Sequence, residues 1–372
     1  MTTYRQARPD ERNEYIDLAN YTFGFDIEAL LPKVYDSGFD SAAITKVAET
    51  DGGKLVAEAA VLPQTVHAGG MELRTNFLGI MVVHPRFRGE GHMKAIINAW
   101  LKEMPGKYHM SVLDGKRQRY EYFGYTSGGL QCEYKVTKDN IRHALKSEDI
   151  SGIRFRPLQE VDEWNAFLLR LLTSREVYVE RDPERMSQIL SCYKQHALGM
   201  LKDGTLTGYL LTDQDRTHVS EVCLVDPTDA GKMIKAYFSS FDLQTATFTL
   251  PVYEKSLNRE LSEFAEWYQL SPANMYNIFD FAAVLEAFLT VKYHTYGLTE
   301  GSFSAVMDSQ PVTIKVSESG VLVEKKASEH AVILDKMDAQ KLILTPYGRY
   351  MDLNVPKDWF PLPLFWHTVD CF

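Results

Sequence analysis

The residues with the clearest chemical potential are Arg86, Arg88, Gly89 and Gly91, in the run VVHPRFRGEGHMKAI from Val82 to Ile96. Their spacing is R-x-x-G-x-G. The near-continuous apolar run TNFLGIMVV precedes them. Met93, Ile96, Ile97, Trp100, Leu101 and Met104 follow at helical spacing until Pro105-Gly106 stops the pattern. A glycine turn between a covered strand and a helix offers backbone N–H groups and the positive end of a helix dipole to an anion. Gly89 and Gly91 lack the Cβ that would hold a pyrophosphate away from the main chain, and Arg86 and Arg88 add charge. Neither the dinucleotide fingerprint G-x-G-x-x-G nor the P-loop ending G-K-[ST] is matched. The competing reading is a surface loop that happens to contain glycine.

The composition narrows the partners. The chain has 372 residues, 45% hydrophobic and 24% charged, with 40 Lys plus Arg against 50 Asp plus Glu and a net charge of -10. Such a length suits two or three soluble domains. The acidic balance argues against nucleic acid or an anionic membrane as partner and is compatible with cationic small molecules. No apolar run reaches membrane-spanning length, and MTTYRQARPDERNEY lacks the apolar centre of a signal peptide. Cys132, Cys192, Cys223 and Cys371 are scattered, as expected of free thiols in a reducing, cytoplasmic setting. The ten histidines form no ligand cluster, so no metal is expected.

The elements that must position the turn alternate between strand and helix. TYRQA reads as a strand and DERNEYIDLANYTFG as an amphipathic helix ended by glycine. AAITKVAETDGGKLVAEAAVLPQTVHA reads as two strands about a D-G-G turn, TNFLGIMVV as a central strand, and HMSVL as a short strand before a helix-like stretch into FGY. Further on, GMLKDGTLTGYLLTDQ and EVCLVDPTDAGKMIKAYF repeat the strand-turn-strand and strand-turn-helix units, without the arginines or the G-x-G. The pattern is either a duplicated α/β unit that lost its anion cradle or a chance likeness. From about Phe279 the chain changes to α+β, with a helix, a hairpin around SESG, and an aromatic tail, DWFPLPLFWHTVDCF, that needs burial.

A second segment makes a resemblance specific. R-x-x-G-x-G after the fourth strand, followed by RYEYFGY (Arg119 to Tyr125) after the fifth, resembles the GCN5-related N-acetyltransferase (GNAT) superfamily. The order of units over the full length is similar to the enhanced intracellular survival (Eis) family, whose members acetylate amines of aminoglycosides. The resemblance implies an α/β and α+β fold. A catalytic GNAT domain would span residues 1–148, a degenerate GNAT-like domain 149–278, and a sterol-carrier-like α+β domain 279–372. Each GNAT unit would be a mixed sheet flanked by helices. It also implies a homo-oligomer, a hexamer built as a dimer of trimers.

The resemblance implies roles for particular residues. Acetyl-CoA, as co-substrate, would be held by Arg86, Arg88, Gly89, Glu90, Gly91, His92, Met93 and Lys94, with Gly115 and Lys116 lining the channel. Met81, Val82 and Val83 belong to a fourth strand splayed from the fifth, whose free N–H groups would polarise the thioester carbonyl. Tyr120 matches the tyrosine that protonates the departing sulfur, a phenol of pKa about 10 facing a thiol of about 8.5. The other reading of Tyr120, Tyr122 and Tyr125 is as core aromatics, which suits the latter two. The C-terminal carboxylate of Phe372 is the implied general base, by direct abstraction or as an electrostatic anchor with water between; otherwise it is a docked end without a role. Phe23, Phe25, Asp26 and Glu28 combine aromatic walls with anionic charge where an acceptor amine would lie, or form a helix with a solvated acidic face.

Three functions fit these readings. One is acetyl-CoA-dependent acetylation of a cationic, aminoglycoside- or polyamine-like amine by direct transfer in a ternary complex. Another is acetylation of protein lysines or N-termini, which needs an open groove. The last is acyl-CoA or lipid binding without turnover.

Overall fold

The computed structural model describes residues 2–36 and 38–372. The first unit runs β1 (Thr2–Gln6), α1 (Arg12–Phe23), α2 (Ile27–Leu30), α3 (Pro32–Tyr35), β2 (Thr45–Thr50), β3 (Leu55–Ala68), β4 (Met71–Val83), α4 (His92–Glu103), β5 (Met110–Leu113), α5 (Arg117–Tyr120) and β6 (Thr126–Gly128). Gly24 ends α1 in the left-handed conformation, its N–H on the Asn20 carbonyl. Strands β1 to β4 pair antiparallel, and α4 is the crossover to the parallel pair β4–β5.

Next come β7 (Gln131–Thr137), α6 (Lys138–Ala144), β8 (Ile153–Pro157), α7 (Trp164–Thr173), β9 (Val177–Val179), α8 (Met186–Leu190), β10 (His196–Lys202), β11 (Thr205–Thr212), β12 (His218–Leu224), α9 (Ala230–Phe241), β13 (Thr245–Pro251), α10 (Lys255–Ser262), β14 (Trp267–Ser271) and β15 (Asn274–Ile278). The second sheet has the order β14-β7-β13-β12-β11-β10-β8, and the first β1-β2-β3-β4-β5-β15-β6 with β9 on β3. The second copy therefore repeats the first, including a helix crossover between its parallel strands β12 and β13. At its α9 the carboxylates of Asp226 and Asp229 stand where an anion would have to sit, and Asp229 binds Lys202 and Lys232.

The sheets do not respect the expected limits at 148 and 278. Strand β7, from before residue 148, lies in the second sheet, while β9 and β15 complete the first. The exchange happens at Gly129 and Leu130, where the chain passes from one sheet to the other and Leu130 N–H donates to the Leu364 carbonyl. A partner chosen across more than a hundred residues leaves no local trace in the sequence.

The last unit is α11 (Phe281–Tyr296), β16 (Gly301–Met307), β17 (Gln310–Ser317), β18 (Gly320–Glu324), β19 (Val332–Leu334) and α12 (Lys336–Leu344), with sheet order β18-β17-β16-β19. Helix α11 is apolar around most of its surface because it lies between this small sheet and the first sheet, and one continuous core holds both. After α12 the tail has no long regular element, yet Trp359, Phe360, Leu362, Leu364, Phe365, Trp366 and Phe372 are all buried. None of the described helices is long and apolar enough to cross a membrane.

Candidate active site

Strands β4 and β5 form a fork. They pair only at Thr75–Met110, Asn76–Ser111 and Phe77–Val112. Beyond Phe77, β4 continues to Val83 with no bonds to β5. A β-bulge sits on the free arm: Gly79 pairs with Ala60 and Val82 with Glu58, so Ile80 and Met81 share one partner position. Ile80 has φ +47, a left-handed conformation that a β-branched residue adopts only under constraint. Met81 and Val83 are half-buried and Val82 is buried, so the three residues expected at the thioester line this arm.

The glycine turn leads from that arm to α4. Gly89 and Gly91 have φ +87 and +85, and the space where a Cβ would stand is open at both. The first intrahelical acceptor is the Gly91 carbonyl, bound by Ala95. The N–H groups of His92, Met93 and Lys94 therefore have no partner within the helix. Arg86, Arg88 and Glu90 are exposed beside them. This is a cradle that fits a diphosphate. The side chains divide differently. His92 is buried, with Nδ1 on the Tyr4 hydroxyl at 2.9 Å and Nε2 on Glu90 at 3.2 Å, so only its N–H faces the turn. Lys94 Nζ lies 4.7 Å over the Tyr122 ring.

Tyr120 is the last residue of α5, on the α4 side of the sheet. A Cβ on Gly115 would overlap Cε2 and Cδ2 of its ring. Gly115 thus leaves room for Tyr120, and Lys116 stands at the N-cap position of α5 without a side-chain capping bond. Tyr120 is 7% exposed, and burial pushes its phenol above the ordinary tyrosine range. Tyr125 is in the core and bonds Ser111, as expected. Tyr122 is not a core residue: it is 66% exposed, because the one-turn helix α5 is followed by a 3₁₀ turn that points it outward.

Phe372 approaches the fork from the opposite face. A Cβ on Gly79 would lie 2.6 Å from its carbonyl oxygen, so the Phe372 main chain rests on bare backbone two residues beyond the last β4–β5 pair. Its ring is 6.3 Å from that of Tyr35. Three groups pin the approach. Lys33 Nζ donates to the carbonyls of Val369 (2.6 Å) and Cys371 (2.5 Å), and Gln64 Nε2 donates to that of Asp370 (2.5 Å). Arg181, 1% exposed, holds both Asp370 oxygens at 2.9 Å and also binds Glu221 of β12. Although burial alone would raise the Glu221 pKa, Arg181 with His367 and Arg175 holds the carboxylate well below its ordinary range.

Of the four residues expected to meet an acceptor, the two carboxylates are engaged within the protein. Phe23 and Phe25 stack at 5.2 Å and are 40% and 46% exposed. Asp26 caps α2 through the N–H groups of Glu28 and Ala29, and Glu28 pairs with Arg12 at 2.8 Å. The aromatic pair is therefore freer to meet a ligand than either carboxylate.

Sequence reasoning missed Lys33, Glu58, Gln64, Gly79 and Arg181. Lys33 and Glu58 had a signal, each being a lone charge in an otherwise apolar stretch. Gly79 inside an apolar strand is the sign of a close backbone approach. Among the described residues no group of His, Cys, Asp and Glu suits a metal ion.

Residues 3–128 match the family model described as an acetyltransferase (GNAT) domain. No curated protein sequence matches the chain. Solved structures do. A conserved protein of unknown function from Enterococcus faecalis V583 superposes with TM-score 0.70 at 18% identity, covering 96% of this chain and 95% of that one. A GCN5-related N-acetyltransferase from Anabaena variabilis gives 0.69 at 15%, covering 100% of both chains. Eis1 from Mycobacterium abscessus gives 0.62 at 14%, covering 96% and 95%. At such identities the likeness is one of fold, and it extends over all three units.

Proposed function

We propose that this chain, whose residues 3–128 match the GNAT domain model, is an acetyl-CoA-dependent N-acetyltransferase acting on an amine of a cationic small molecule. One observation carries the reading: the fork of β4 and β5 is flanked by the Tyr120 phenol on one face and the main-chain end of Phe372 on the other.

In this reading acetyl-CoA supplies the activated acyl group, and every other task falls to the chain. The N–H groups of Gly89 to Lys94 would bind its diphosphate, with Arg86 and Arg88 adding charge. The bulge at Ile80–Met81 frees this arm from regular pairing, and one of its backbone N–H groups would hold the thioester oxygen as negative charge grows. Tyr120, kept protonated by burial, would donate to the departing sulfur. The Phe372 carboxylate would accept a proton from the amine nitrogen. Phe23 and Phe25 would offer the acceptor two aromatic faces, which attract cations. The overall acidity of the chain favours such an acceptor. A cytoplasmic setting, a hexamer and a sterol-carrier likeness of the last unit belong to the same reading and rest on the family resemblance.

Mixing the protein with acetyl-CoA and a panel of amines, and measuring thiol release, tests it. Aminoglycosides or polyamines should release thiol and lysine peptides should not. Turnover of peptides alone would favour the protein-acetylating alternative. No turnover, with tight acyl-chain binding, would favour a lipid carrier.

A further inference from the structure

One buried carboxyl has no task in that scheme. Glu58 lies in β3 within the run LVAEAAVL and is 2% exposed, and neither of its oxygens has a hydrogen-bond partner among the described residues. Strand register puts it in the row Arg5–Val47–Glu58–Val82, on the face covered by α1 to α3. Its neighbours in that row are valines. Arg5, at the end, is taken by Glu11 and Glu49. From the helices come Tyr15, bonded to Ser41, Tyr35, whose hydroxyl is likewise buried without a partner, and Arg12, bonded to Glu28 and the Tyr35 carbonyl. Asp40 and Tyr193 lie farther out, acting on Tyr15 and Tyr35. Among the described residues no cation neutralises Glu58.

The carboxyl is nevertheless beside the site. Phe372 rests on Gly79, the cross-strand partner of Ala60, and Ala60 is two residues along β3 from Glu58 on the same face. At a rise of about 3.3 Å per residue their Cα atoms are about 7 Å apart. The Tyr35 ring lies 6.3 Å from that of Phe372, and Glu58, once ionised, would act on the Tyr35 phenol.

We infer that Glu58 is a second proton acceptor of the site, taking a proton from the ammonium of the acceptor; the inference rests on the acetyl-transfer reading above. An unpaired carboxylate is costly to bury, so Glu58 is a neutral acid until a cation arrives, and burial holds its pKa well above the carboxylate range. An ammonium entering beside it favours ionisation, and one proton leaves to solvent. In surroundings of low dielectric the resulting pair relaxes by transfer along the hydrogen bond: R–NH3+ and Glu58–COO− become R–NH2 and Glu58–COOH. The N–H bond breaks and the O–H bond forms, leaving a nitrogen lone pair free to attack. The proton count calls for such a group. An ammonium that ends as an amide sheds two protons, whereas the sulfur regains one. Glu58 takes the first, the Phe372 carboxylate takes the second as the amide bond forms, and Tyr120 gives the one that sulfur needs.

Glu58→Gln keeps the size and neutrality of the resting side chain but cannot take up a proton; Glu58→Asp keeps the acid. With kanamycin as the probe, full-length Glu58→Gln should lose about 10²–10⁴-fold in kcat/KM near neutral pH. That loss should shrink tenfold per pH unit toward the amine's own pKa, and Glu58→Asp should keep the wild-type pH profile at lower rate. A purely structural role would lower the rate alike at every pH. Calorimetry of kanamycin binding to the CoA-bound protein, in buffers of different ionisation enthalpy, adds a readout without turnover: wild type should release one proton per amine bound and Glu58→Gln none. Unchanged kinetics or equal proton release in Glu58→Gln overturns the inference while the function stands. A wild type that turns over no amine overturns both.

Discussion

Gly79→Ala perturbs the placement of the Phe372 end by a single methyl. The new Cβ would stand 2.6 Å from the Phe372 carbonyl oxygen, 2.8 Å from its carbonyl carbon and 3.1 Å from its ring. Ordinary contact begins near 3.4 Å, so the terminal group must retreat by about 0.8 Å. It cannot do so freely, because Lys33 and Gln64 hold the three preceding carbonyls. Displacing a reacting group by about 1 Å costs on the order of 10²-fold, so kcat should fall by about 10- to 100-fold. Overpacking should cost about 1–3 kcal/mol of stability. Saturating thiol-release assays give kcat, and calorimetry gives acetyl-CoA affinity, which should hold because the Cβ points toward the terminus and away from the glycine turn. A folded Gly79→Ala protein with wild-type kcat would refute the idea that the terminus is placed for chemistry. Residues appended after Phe372 make the same point more coarsely, since they remove the carboxylate from that position.

Tyr120→Phe should lower kcat by about 10²–10⁴-fold with acetyl-CoA affinity intact. Because burial raises its pKa, the phenol stays protonated beyond the ordinary value of about 10; the alkaline limb due to this group should lie above that pH in the wild-type rate profile. Lys33→Met leaves the carbonyls of Val369 and Cys371 without their donor. Denaturant unfolding should register about 1–3 kcal/mol for each, and kcat should fall as the terminus loosens. Gly91→Ala forces a side chain to φ +85, at a cost of about 1–2 kcal/mol. If acetyl-CoA binding bears that strain, its KM rises by about 5- to 30-fold with kcat little changed, which steady-state kinetics would reveal.

Local order was legible in the chain because it depends on neighbours in sequence. The apolar run 75–83, the helix after Gly91 and the S-E-S-G hairpin could be read from periodicity and turn chemistry alone. So could the R-x-x-G-x-G turn, since backbone that takes positive φ at both positions favours glycine there. The loss of that turn in the second copy was equally visible. What escaped was every relation between distant segments. Strands β6 and β7 are two residues apart yet enter different sheets, and β15 returns more than a hundred residues later to fill the first. The tail could be judged buried from its composition, but not where it docks. Lys33 of α3, Gln64 of β3 and Arg181 of the segment after β9 converge on residues 369–371. Glu58 stands out in the sequence as a lone charge in an apolar strand, but only register shows that it faces Tyr15 and Tyr35 without a counter-ion among the described residues. A side chain's type states which proton or charge it can handle. Its partners, and so its pKa and reach, are set by packing across hundreds of residues, where burial, close approach and hydrogen bonds act through space.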